Sequence, residues 1–500
     1  MKKFFAIVLC LLMVAALVAC GGEKKEEKPA EGQNIKVGFI CLHDENSTYD
    51  LNFINAAKGA CATLGITDYI IKTNIPEGQE CYETAADMAA SGCKIIFADS
   101  FGHEDYMIQA AKEFPDVQFC HATGTKAHTE NLPNYHNAFA AIYEGRYLAG
   151  IAAGMKLQEM LDSGKITKDQ LKIGYVGAFT YEEVVSGYTS FFLGVRSIVP
   201  EVTMDVTFTG SWYDETAEKE GAMKLINGGC VLISQHADSM GAPSACESMG
   251  VPNVSYNGST VKVGPNTYIV SSRINWEPYY EYAIKAAAAG EAIPADWTGT
   301  IETGSVELFE LNDAVAADGT QAKIDEAKAA MVAGTLHVFS TDAFTVGGEH
   351  LTSYMADVDT DPAYTPDTEV IKDGYFHESE FRSAPYFDLR IDGITLLNES
   401  YYFNSKQSDR TVSDRPIFFC RGLRFSFTNR GIYDTISYHR QRYAPLRKGW
   451  GTWKQSKMPS EWRASPSTSA AWLPTETFIW NCMKAKSFRC SARTAAERPR

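Results

Sequence analysis

The stretch KIGYVGAFTYEEVVSGYTSFFLGVRSIVPEVTMDVTFT, residues 172–209, decides the fold. It opens with an almost uninterrupted apolar run, continues with an amphipathic pattern that predicts a helix from Glu183 to Ile198, and closes with a second apolar run. Near-continuous apolar runs separated by amphipathic helices are typical of parallel strands covered by helices on both faces. The stretch therefore predicts one strand–helix–strand unit of a parallel sheet.

The same alternation extends over residues 35–289 and divides into two halves of similar build. The predicted fold class is therefore α/β, with two doubly wound, Rossmann-like parallel-sheet lobes joined by a hinge. The expected boundaries are 35–140 plus about 272–300 for the first lobe, 141–271 plus part of about 301–340 for the second, and 341–404 for a C-terminal extension. The other predicted strands are IKVGFICL, ITDYIIKT, KIIFAD, VQFCHAT, CVLISQ, VPNVSYN and TYIVSS, and the other predicted helices are Asn52–Leu64, Glu83–Ser91, Asp105–Glu113, Ile142–Leu161, Glu215–Asn227, Gly241–Met249 and Pro278–Ala289.

The N-terminus has the pattern of a secretory signal. Two lysines precede an apolar run from Phe4 to Val18, which is shorter than the ~20 residues of a membrane-spanning helix. The sequence Leu17-Val18-Ala19-Cys20 resembles the lipobox of bacterial lipoproteins, in which the cysteine is acylated. Residues 1–20 are thus predicted to be a lipoprotein signal peptide and the polar residues 21–34 a tether. A lipid anchor at Cys20 would place the protein on the extracytoplasmic or periplasmic face of the cell membrane, whereas the alternative is an ordinary signal peptide with a chance cysteine.

Charge and motifs exclude several function classes. The formal net charge of -16 argues against binding to nucleic acid, because an acidic surface repels phosphate. The sequence has no GxSxG, HExxH or phosphate-loop motif in its reading frame, so we expect neither a catalytic centre nor a cofactor. The cysteines between Cys20 and position 405 form no CxxC pair, which predicts no metal site but leaves one or two disulfides open; they are Cys41, Cys61, Cys81, Cys93, Cys120, Cys230 and Cys246.

Aromatic and polar side chains cluster where the predicted strands end. In open α/β sheets, ligands bind outside the carboxyl ends of the strands, and two facing sheets would share one cleft. Aromatic rings offer stacking faces and Asp or Asn can read ring nitrogens, so this mixture suits a planar heterocycle. The candidate ligand-binding residues are His43, Tyr49, Asp99, Phe101, Phe179, Trp212, His236, Asp238, Asn257, Asn275 and Trp276.

Each candidate also has an ordinary structural interpretation. Trp212 can cap a strand, and His236 can make a turn hydrogen bond. Asp238 stands where it can cap a helix that begins near Met240, and Arg273 can pair with surface carboxylates. The set therefore supports a binding site better than any single member does.

Several motifs together resemble a known family. FPDVQFCHATG, YEGRYLAGIAAG, GSWYDETAEKEGAMKLINGG, LISQHADS and NWEPYYEYAI are similar to segments of the basic membrane protein family of ABC-transporter substrate-binding lipoproteins. The resemblance implies a periplasmic-binding-protein-like fold that closes over a purine nucleoside or nucleobase, performs no chemistry, and delivers its ligand to a membrane permease powered by an ATPase. Many nucleoside-binding members carry DxGGxNDxSFN after the first strand, whereas this chain has HDENSTYDLNF at 43–53, which favours a nucleobase over a nucleoside.

Two other functions stay open at this point. A monosaccharide also stacks on aromatic rings, so a sugar receptor of the same fold is the first alternative. A cleft enzyme such as a nucleoside hydrolase is the second, because His236 and Asp238 form a close His/Asp pair at a strand end. Release of free ribose from a nucleoside would distinguish the enzyme from a receptor.

The C-terminal residues 405–500 differ sharply from the rest of the chain, being rich in arginine and tryptophan and without periodicity. When codons are built from the third base of one residue and the first two of the next, the residues from Glu461 onward permit an apolar strand followed by GxxxxGK and then Ser or Thr. That reading resembles the start of an ABC-transporter ATPase. We therefore expect 405–500 to be read-through and frameshifted translation.

Overall fold

The computed structural model describes residues 35–359 and 366–398. The predicted signal peptide, the tether, Cys20 and the segment 405–500 lie outside the described residues. Within the described ranges, no helix is both long and apolar enough to cross a membrane.

The predicted apolar runs become buried strands. Residues 37–40 (VGFI) and 95–98 (IIFA) are buried along their whole length, as expected for strands covered on both faces. The strands are β1 (Val37–Ile40), β2 (Tyr69–Lys72), β3 (Ile95–Ala98), β4 (Gln118–Ala122), β5 (Tyr135–Ala140), β6 (Lys172–Gly177), β7 (Thr203–Phe208), β8 (Ile233–Gln235), β9 (Asn253–Tyr256), β10 (Tyr268–Ile274), β11 (Asp296–Gly299), β12 (Val306–Leu308), β13 (Met355–Ala356), β14 (Thr368–Glu369), β15 (Ile371–Lys372), β16 (Tyr375–Phe376) and β17 (Ile394–Leu396).

Amphipathic helices connect most of these strands. The first helix begins after Ser47, whose hydroxyl accepts a hydrogen bond from the Asp50 N–H, and it ends at Gly65, which has the left-handed φ of 68°. The helices are α1 (Thr48–Leu64), α2 (Gln79–Ala90), α3 (Glu104–Glu113), α4 (Ala127–Glu130), α5 (Ile142–Asp162), α6 (Glu182–Arg196), α7 (Glu215–Asn227), α8 (Gly241–Met249), α9 (Glu277–Ala289) and α10 (Thr320–Val332).

The strands form two main sheets. The first has the order β11-β5-β4-β3-β1-β2 and is parallel throughout. The second has the order β12-β10-β9-β8-β6-β7-β17 and is parallel except for the antiparallel pair of β10 and β12. We call the first sheet with its helices the first lobe and the second sheet with its helices the second lobe. The expectation of two doubly wound parallel sheets is confirmed.

The chain passes between the lobes more than once. After β5 it enters α5, which packs on α6 and β10 of the second lobe. After β10 it enters α9, which packs on α1 of the first lobe, and after β11 it returns to β12 in the second sheet. These crossings place the carboxyl ends of both sets of strands on opposite sides of one cleft.

Some elements were not predicted from the sequence. The strand β5 contains His136 and Asn137, which are poor strand formers, but both are buried and hydrogen-bonded. His136 bonds Pro294 and Gln118, while the Asn137 side chain accepts from the Ala127 N–H. The strands β11, β12 and β17 and the helix α10 also escaped prediction, because they are short or lack strong periodicity.

Candidate ligand-binding site

A largely enclosed cavity lies between the lobes at the carboxyl ends of their strands. The space between its walls is about 380 Å³, a figure that includes space open to solvent. Both lobes contribute to its walls. The lining residues are Leu42, His43, Tyr49, Asp50, Ser100, Phe101, Thr123, Glu183, Trp212, His236, Asp238 and Tyr256.

Asp50 organises the wall of the first lobe. Its carboxylate accepts hydrogen bonds from the His43 N–H at 2.7 Å and the Ser47 hydroxyl at 2.6 Å, and it lies 3.3 Å from His43 Nδ1. Burial opposes ionisation of this carboxyl, but the hydrogen bonds from His43 and Ser47 outweigh burial and lower its pKa. The loop between β1 and α1 is therefore held around an ionised carboxylate.

Asp99 lies directly behind that wall. One oxygen accepts from the Leu42 N–H at 3.1 Å, the backbone carbonyl accepts from the Tyr49 hydroxyl at 2.6 Å, and the second carboxyl oxygen has no partner. Burial and the nearby Asp50 raise the pKa of Asp99 well above its ordinary value. Burial beside a second carboxylate thus favours the protonated form of Asp99.

Three possible metal ligands meet at this point. Within the described ranges, donor atoms of Cys41, Asp50 and Asp99 form the one group of this kind, all within 4.8 Å of one another. Burial and the adjacent carboxyls raise the pKa of the Cys41 thiol well above its ordinary value, so it is a neutral group. The three side chains thus form a buried cluster of acidic groups behind the wall of the first lobe.

The wall of the second lobe is organised by Arg146 on α5. This side chain is buried, donates to the Gln235 carbonyl at 3.0 Å, and lies 2.9 Å from His236 Nδ1. Its guanidinium also lies 3.3 Å from the ring centre of Tyr256. Because arginine can only donate, His236 Nδ1 accepts, and the proton of the ring is on Nε2, which lies 3.3 Å from Glu183 Oε1. Burial and the positive charge of Arg146 lower the pKa of His236 to about 4, so the ring is neutral.

Aromatic rings from both lobes face the cavity. Trp212, in the second lobe, packs edge-on against Phe179 with ring centres 4.9 Å apart. Phe101, in the first lobe, lies 4.8 Å from the ring of Tyr181 across the cleft. Trp212 and Phe101 both line the cavity, whereas Phe179 supports Trp212 from behind.

Asp238 joins the two lobes through its backbone and faces the cavity with its side chain. Its carbonyl accepts from the Thr48 N–H at 3.1 Å and from the Thr48 hydroxyl at 3.2 Å. The side chain does not cap α8, whose first turn instead bonds the Ser239 hydroxyl. Among the described residues none donates a hydrogen bond to this carboxyl, and burial, then the neighbouring Asp50, raises its pKa well above the ordinary value.

The structure brings His43, Tyr49, Phe101, Trp212, His236 and Asp238 to the cavity, but not all the predicted residues. Trp276 is only 1% exposed and stacks on Phe53 at 4.5 Å in the core of the first lobe, so it does not line this cavity. Asn275 bonds the Gly304 carbonyl near the crossing between the lobes. Asn257 is buried at a φ of 62°, its backbone N–H donates to the Ser272 carbonyl, and it is not among the residues that line the cavity.

The charged residues of the site that were missed from the sequence are Asp50, Glu183 and Arg146. Asp50 and Glu183 sit in the first turns of helices, where an acidic residue also favours the helix dipole and thus gives no distinct functional signal. The sequence around Arg146 does indicate a special role, because an arginine within the small and apolar run YEGRYLAGIAAG is expected to be buried and then needs hydrogen-bond partners. Arg273, in contrast, pairs with Glu307 at the surface, and all seven cysteines of the described residues are buried and free.

Comparisons with known proteins agree with this geometry. Residues 60–335 match the family described as ABC transporter substrate-binding protein PnrA-like, or Bmp. A purine-binding protein of Brucella abortus is 31% identical over 339 residues, which cover 66% of this chain and 89% of that protein. The nucleoside-binding protein BmpA of Lactococcus lactis is 26% identical, covering 48% of this chain and 67% of that protein.

A further relative and a solved structure are also similar to this chain. A putative ABC transporter glucose-binding protein of Haloferax volcanii is 35% identical over 46% of this chain and 58% of its own length. A solute-binding protein structure from Aeropyrum pernix superposes with a TM-score of 0.52 at 16% identity, covering 63% of this chain and 94% of that one, and supports the fold alone. The relatives are binding proteins by name, in agreement with the interlobe cavity. The chain therefore belongs to the PnrA-like family of ABC transporter substrate-binding proteins, the basic membrane protein family that its motifs resemble.

Proposed function

We propose that this substrate-binding protein captures a purine nucleobase or nucleoside for an ABC importer while anchored to the outer face of the membrane through a lipid on Cys20. Its partners are then the permease that receives the ligand and the ATPase that powers transport. Support for the ligand comes from the cavity and from the names of two relatives, and support for the anchor comes from LVAC at 17–20.

One observation carries the choice of ligand: Trp212 and Phe101 come from opposite lobes and line the same enclosed cavity. A flat ring between them stacks on both lobes at once, and stacking on an aromatic side chain is worth roughly 1–3 kcal/mol per base. The unpartnered carboxyl of Asp238 supplies a polar contact at the same place. A planar heterocycle with N–H groups satisfies both features.

Closure of the lobes follows from the same contacts. Three contacts cross the cleft. The Thr48 N–H donates to the Asp238 carbonyl. The rings of Phe101 and Tyr181 pack against each other, and the rings of His43 and Tyr213 lie 5.6 Å apart. A ligand that touches both walls favours this closed arrangement over an open one, and binding shifts the population toward it. The permease would then recognise the closed form.

A monosaccharide is the second candidate ligand. The carboxyls of Asp50, Glu183 and Asp238 could accept hydroxyl hydrogen bonds, and the Haloferax relative is named as a putative glucose-binding protein. The hydrolase alternative has less support, because both ring nitrogens of His236 already face Arg146 and Glu183. A histidine held in this way is a structural part of the wall rather than a free general base.

A thermal-shift screen tests the proposed ligand class. Purine bases, nucleosides, pyrimidines and hexoses are added separately, because a ligand at a hundred times its Kd stabilises the fold by about 2.7 kcal/mol. Stabilisation by purines or their nucleosides supports the proposal. Stabilisation by sugars alone, or release of ribose from a bound nucleoside, contradicts it.

Replacing Trp212 by alanine is expected to weaken purine binding by about ten- to a hundredfold, because one stacking face of roughly 1–3 kcal/mol is lost. Calorimetric titration measures the change. Trp297 lies on β11 away from the cavity, so Trp297→Ala is the matched control and should leave the Kd unchanged. Equal affinity in Trp212→Ala and the unmodified chain would show that Trp212 is not a stacking face.

Replacing Cys20 by alanine is expected to release the protein from the membrane fraction and to remove labelled palmitate, since a thioether-linked lipid requires the cysteine sulfur. Cell fractionation and metabolic labelling are the measurements. Cys10→Ala, within the apolar run, is the control and should leave both unchanged. Unaltered membrane association and labelling of Cys20→Ala would contradict the anchor.

A further inference from the structure

The buried acidic cluster behind the wall of the first lobe contains three potential metal ligands. The thiol of Cys41 and the carboxyls of Asp50 and Asp99 belong to residues at most 2% exposed, and their donor atoms all lie within 4.8 Å of one another. Among the described residues, Asp50 pairs with His43 and Asp99 with His103, and neither pairs with a lysine or an arginine. The acidic groups are therefore gathered in the interior without a strong counter-charge from the protein.

The ring of His103 directs a free nitrogen toward this cluster. Its Nε2 lies 2.9 Å from the Ile75 carbonyl oxygen, so Nε2 donates its proton there and Nδ1 keeps a lone pair. Nδ1 is buried, has no hydrogen-bond partner among the described residues, and lies 4.0 Å from Asp99 Oδ1. Metal-binding histidines are oriented in the same way, with one nitrogen donating to a backbone carbonyl or carboxylate while the other faces the ion.

We propose that the acidic cluster and His103 together bind a divalent transition-metal ion, and that zinc matches these donors best. A thiolate sulfur, an imidazole nitrogen and carboxylate oxygens are the ligands that zinc takes, usually four in a tetrahedron, whereas calcium and magnesium prefer oxygen alone. Donor atoms bonded to one zinc ion at about 2.0–2.3 Å stand roughly 3.3–3.8 Å apart, so the side chains need to close by only about 1 Å. The bound ion displaces the thiol proton, and its charge balances the buried acidic groups.

The position of the cluster gives the ion a route in and a structural role. Asp50 lines the interlobe cavity, so an ion reaches the cluster from the cleft, and the other ligands lie deeper. Coordination would tie together the end of β1, the first turn of α1 and the end of β3. It would thereby fix the segment that carries His43 and Tyr49 of the cavity wall. Because the ligands come from separate segments, the spacing of the cysteines alone does not indicate the site.

Zinc chloride and a chelator test the site in the full chain. The protein is stripped with EDTA, dialysed and titrated with Zn²⁺ while bound metal and melting temperature are measured. We expect saturable binding and a rise in melting temperature that EDTA reverses. Cobalt(II) in place of zinc should give a sulfur-to-metal charge-transfer band in the near ultraviolet, because a cysteine is among the ligands. Absence of saturable zinc binding would overturn the inference and leave the proposed purine function untouched.

Two variants assign the ion to this cluster. Loss of a group that only supports a metal ligand weakens binding by about 10–100-fold, so Cys41→Ala and Asp99→Asn should each weaken Zn²⁺ binding by at least about a hundredfold. Asp99→Asn retains the shape of the side chain and an acceptor for the Leu42 N–H, so it remains informative if Cys41→Ala folds poorly. At saturating cobalt, the charge-transfer band should be lost in Cys41→Ala and kept in Asp99→Asn.

The matched control is Cys61→Ala, which removes another buried, free cysteine of the first lobe and should bind Zn²⁺ like the unmodified chain. Equal binding by the unmodified chain, Cys41→Ala and Asp99→Asn would place the ion elsewhere, such as at the cysteines outside the described residues, and would refute the proposed site.

Discussion

Replacing Arg146 by methionine is expected to lower the free energy of unfolding by roughly 3–5 kcal/mol, as when one partner of a buried charged network is removed. Arg146 is 1% exposed, and its loss leaves the Gln235 carbonyl and His236 Nδ1 without their donor. The Asp238 carboxyl also loses the positive charge of Arg146, which favours its ionised form. We expect purine binding to fall in parallel, because His236 and Tyr256 both line the cavity and both are positioned by Arg146.

Denaturant unfolding and calorimetric titration measure these two effects. Arg273→Met is the matched control: this arginine is partly exposed and pairs with Glu307, so its loss should cost only about 0–1 kcal/mol. Arg146→Lys should restore the charge but not the forked hydrogen bonds, and therefore recover only part of the stability.

A titration of His236 distinguishes whether Arg146 positions this histidine and influences its charge or only packs against it. Arg146 helps to hold the pKa of His236 low, at about 4, so Arg146→Met should raise it. Chemical shifts of the imidazole protons in the folded variant report this change. An unchanged stability together with an unchanged His236 pKa would show that Arg146 does not organise the second wall.

Much of the fold follows from the chain's apolar runs. The runs that became β1, β3 and β6 are buried on both faces, and this burial is what the continuous pattern predicts. The strand β5 could not be recognised in the same way, because Asn137 and His136 are stabilised by hydrogen bonds to residues that are distant along the chain or belong to other elements. Local propensity carries no information about such partners.

The candidate site was only partly predictable for a related reason. The strand-end rule located His43, Phe101, Trp212 and Asp238 at the cavity, because topology alone brings strand ends together. It also selected Trp276, which follows β10 but turns into the core against Phe53. Which way a side chain points after a strand depends on the packing of the next helix, and the sequence does not encode that direction in any local pattern.

Arg146 is the opposite case, a residue that belongs to the site but was not predicted from the sequence. It lies in the first turns of α5, far along the chain from Gln235, His236 and Tyr256, and reaches them only because α5 crosses the second sheet. Its burial could be inferred from its small and apolar neighbours, but its partners could not.

Truncation at Ser340 is expected to abolish folding, whereas truncation at Asn404 is expected to leave stability and ligand binding unchanged. We call the described residues 341–359 and 366–398 the C-terminal extension. Its apolar side chains belong to the main hydrophobic core, including Phe344, Val370, Phe376, Phe387 and Ile391. Burying each such side chain contributes about 1.5–3 kcal/mol, and together they approach the ~5–15 kcal/mol by which a typical domain is stable.

The extension also joins the two lobes. Strand β17 pairs with β7 at the edge of the second sheet, while Ser383 donates through its N–H and its hydroxyl to Asp296 on β11 of the first sheet at 2.8 and 2.7 Å. The matching family segment ends at residue 335, so a chain cut to that length would lack all of these contacts. Removing the extension would expose Phe339, whose ring stacks on Phe387 at 4.3 Å.

Three chains that begin at Ile35 and end at Ser340, Asn404 or Arg500 provide the test. Circular dichroism melting and purine titration should give the same transition temperature and Kd for the two longer chains, and no cooperative transition for the shortest. Equal stability and affinity of the chains that end at Asn404 and Arg500 would support the proposal that residues 405–500 are translated out of frame, since such a segment has no selected role in folding or binding. A cooperative, ligand-binding chain ending at Ser340 would mean that the lobes close their core without the extension. Loss of stability on removing 405–500 alone would contradict the out-of-frame proposal, because a segment without selected contacts has no stabilising energy to lose.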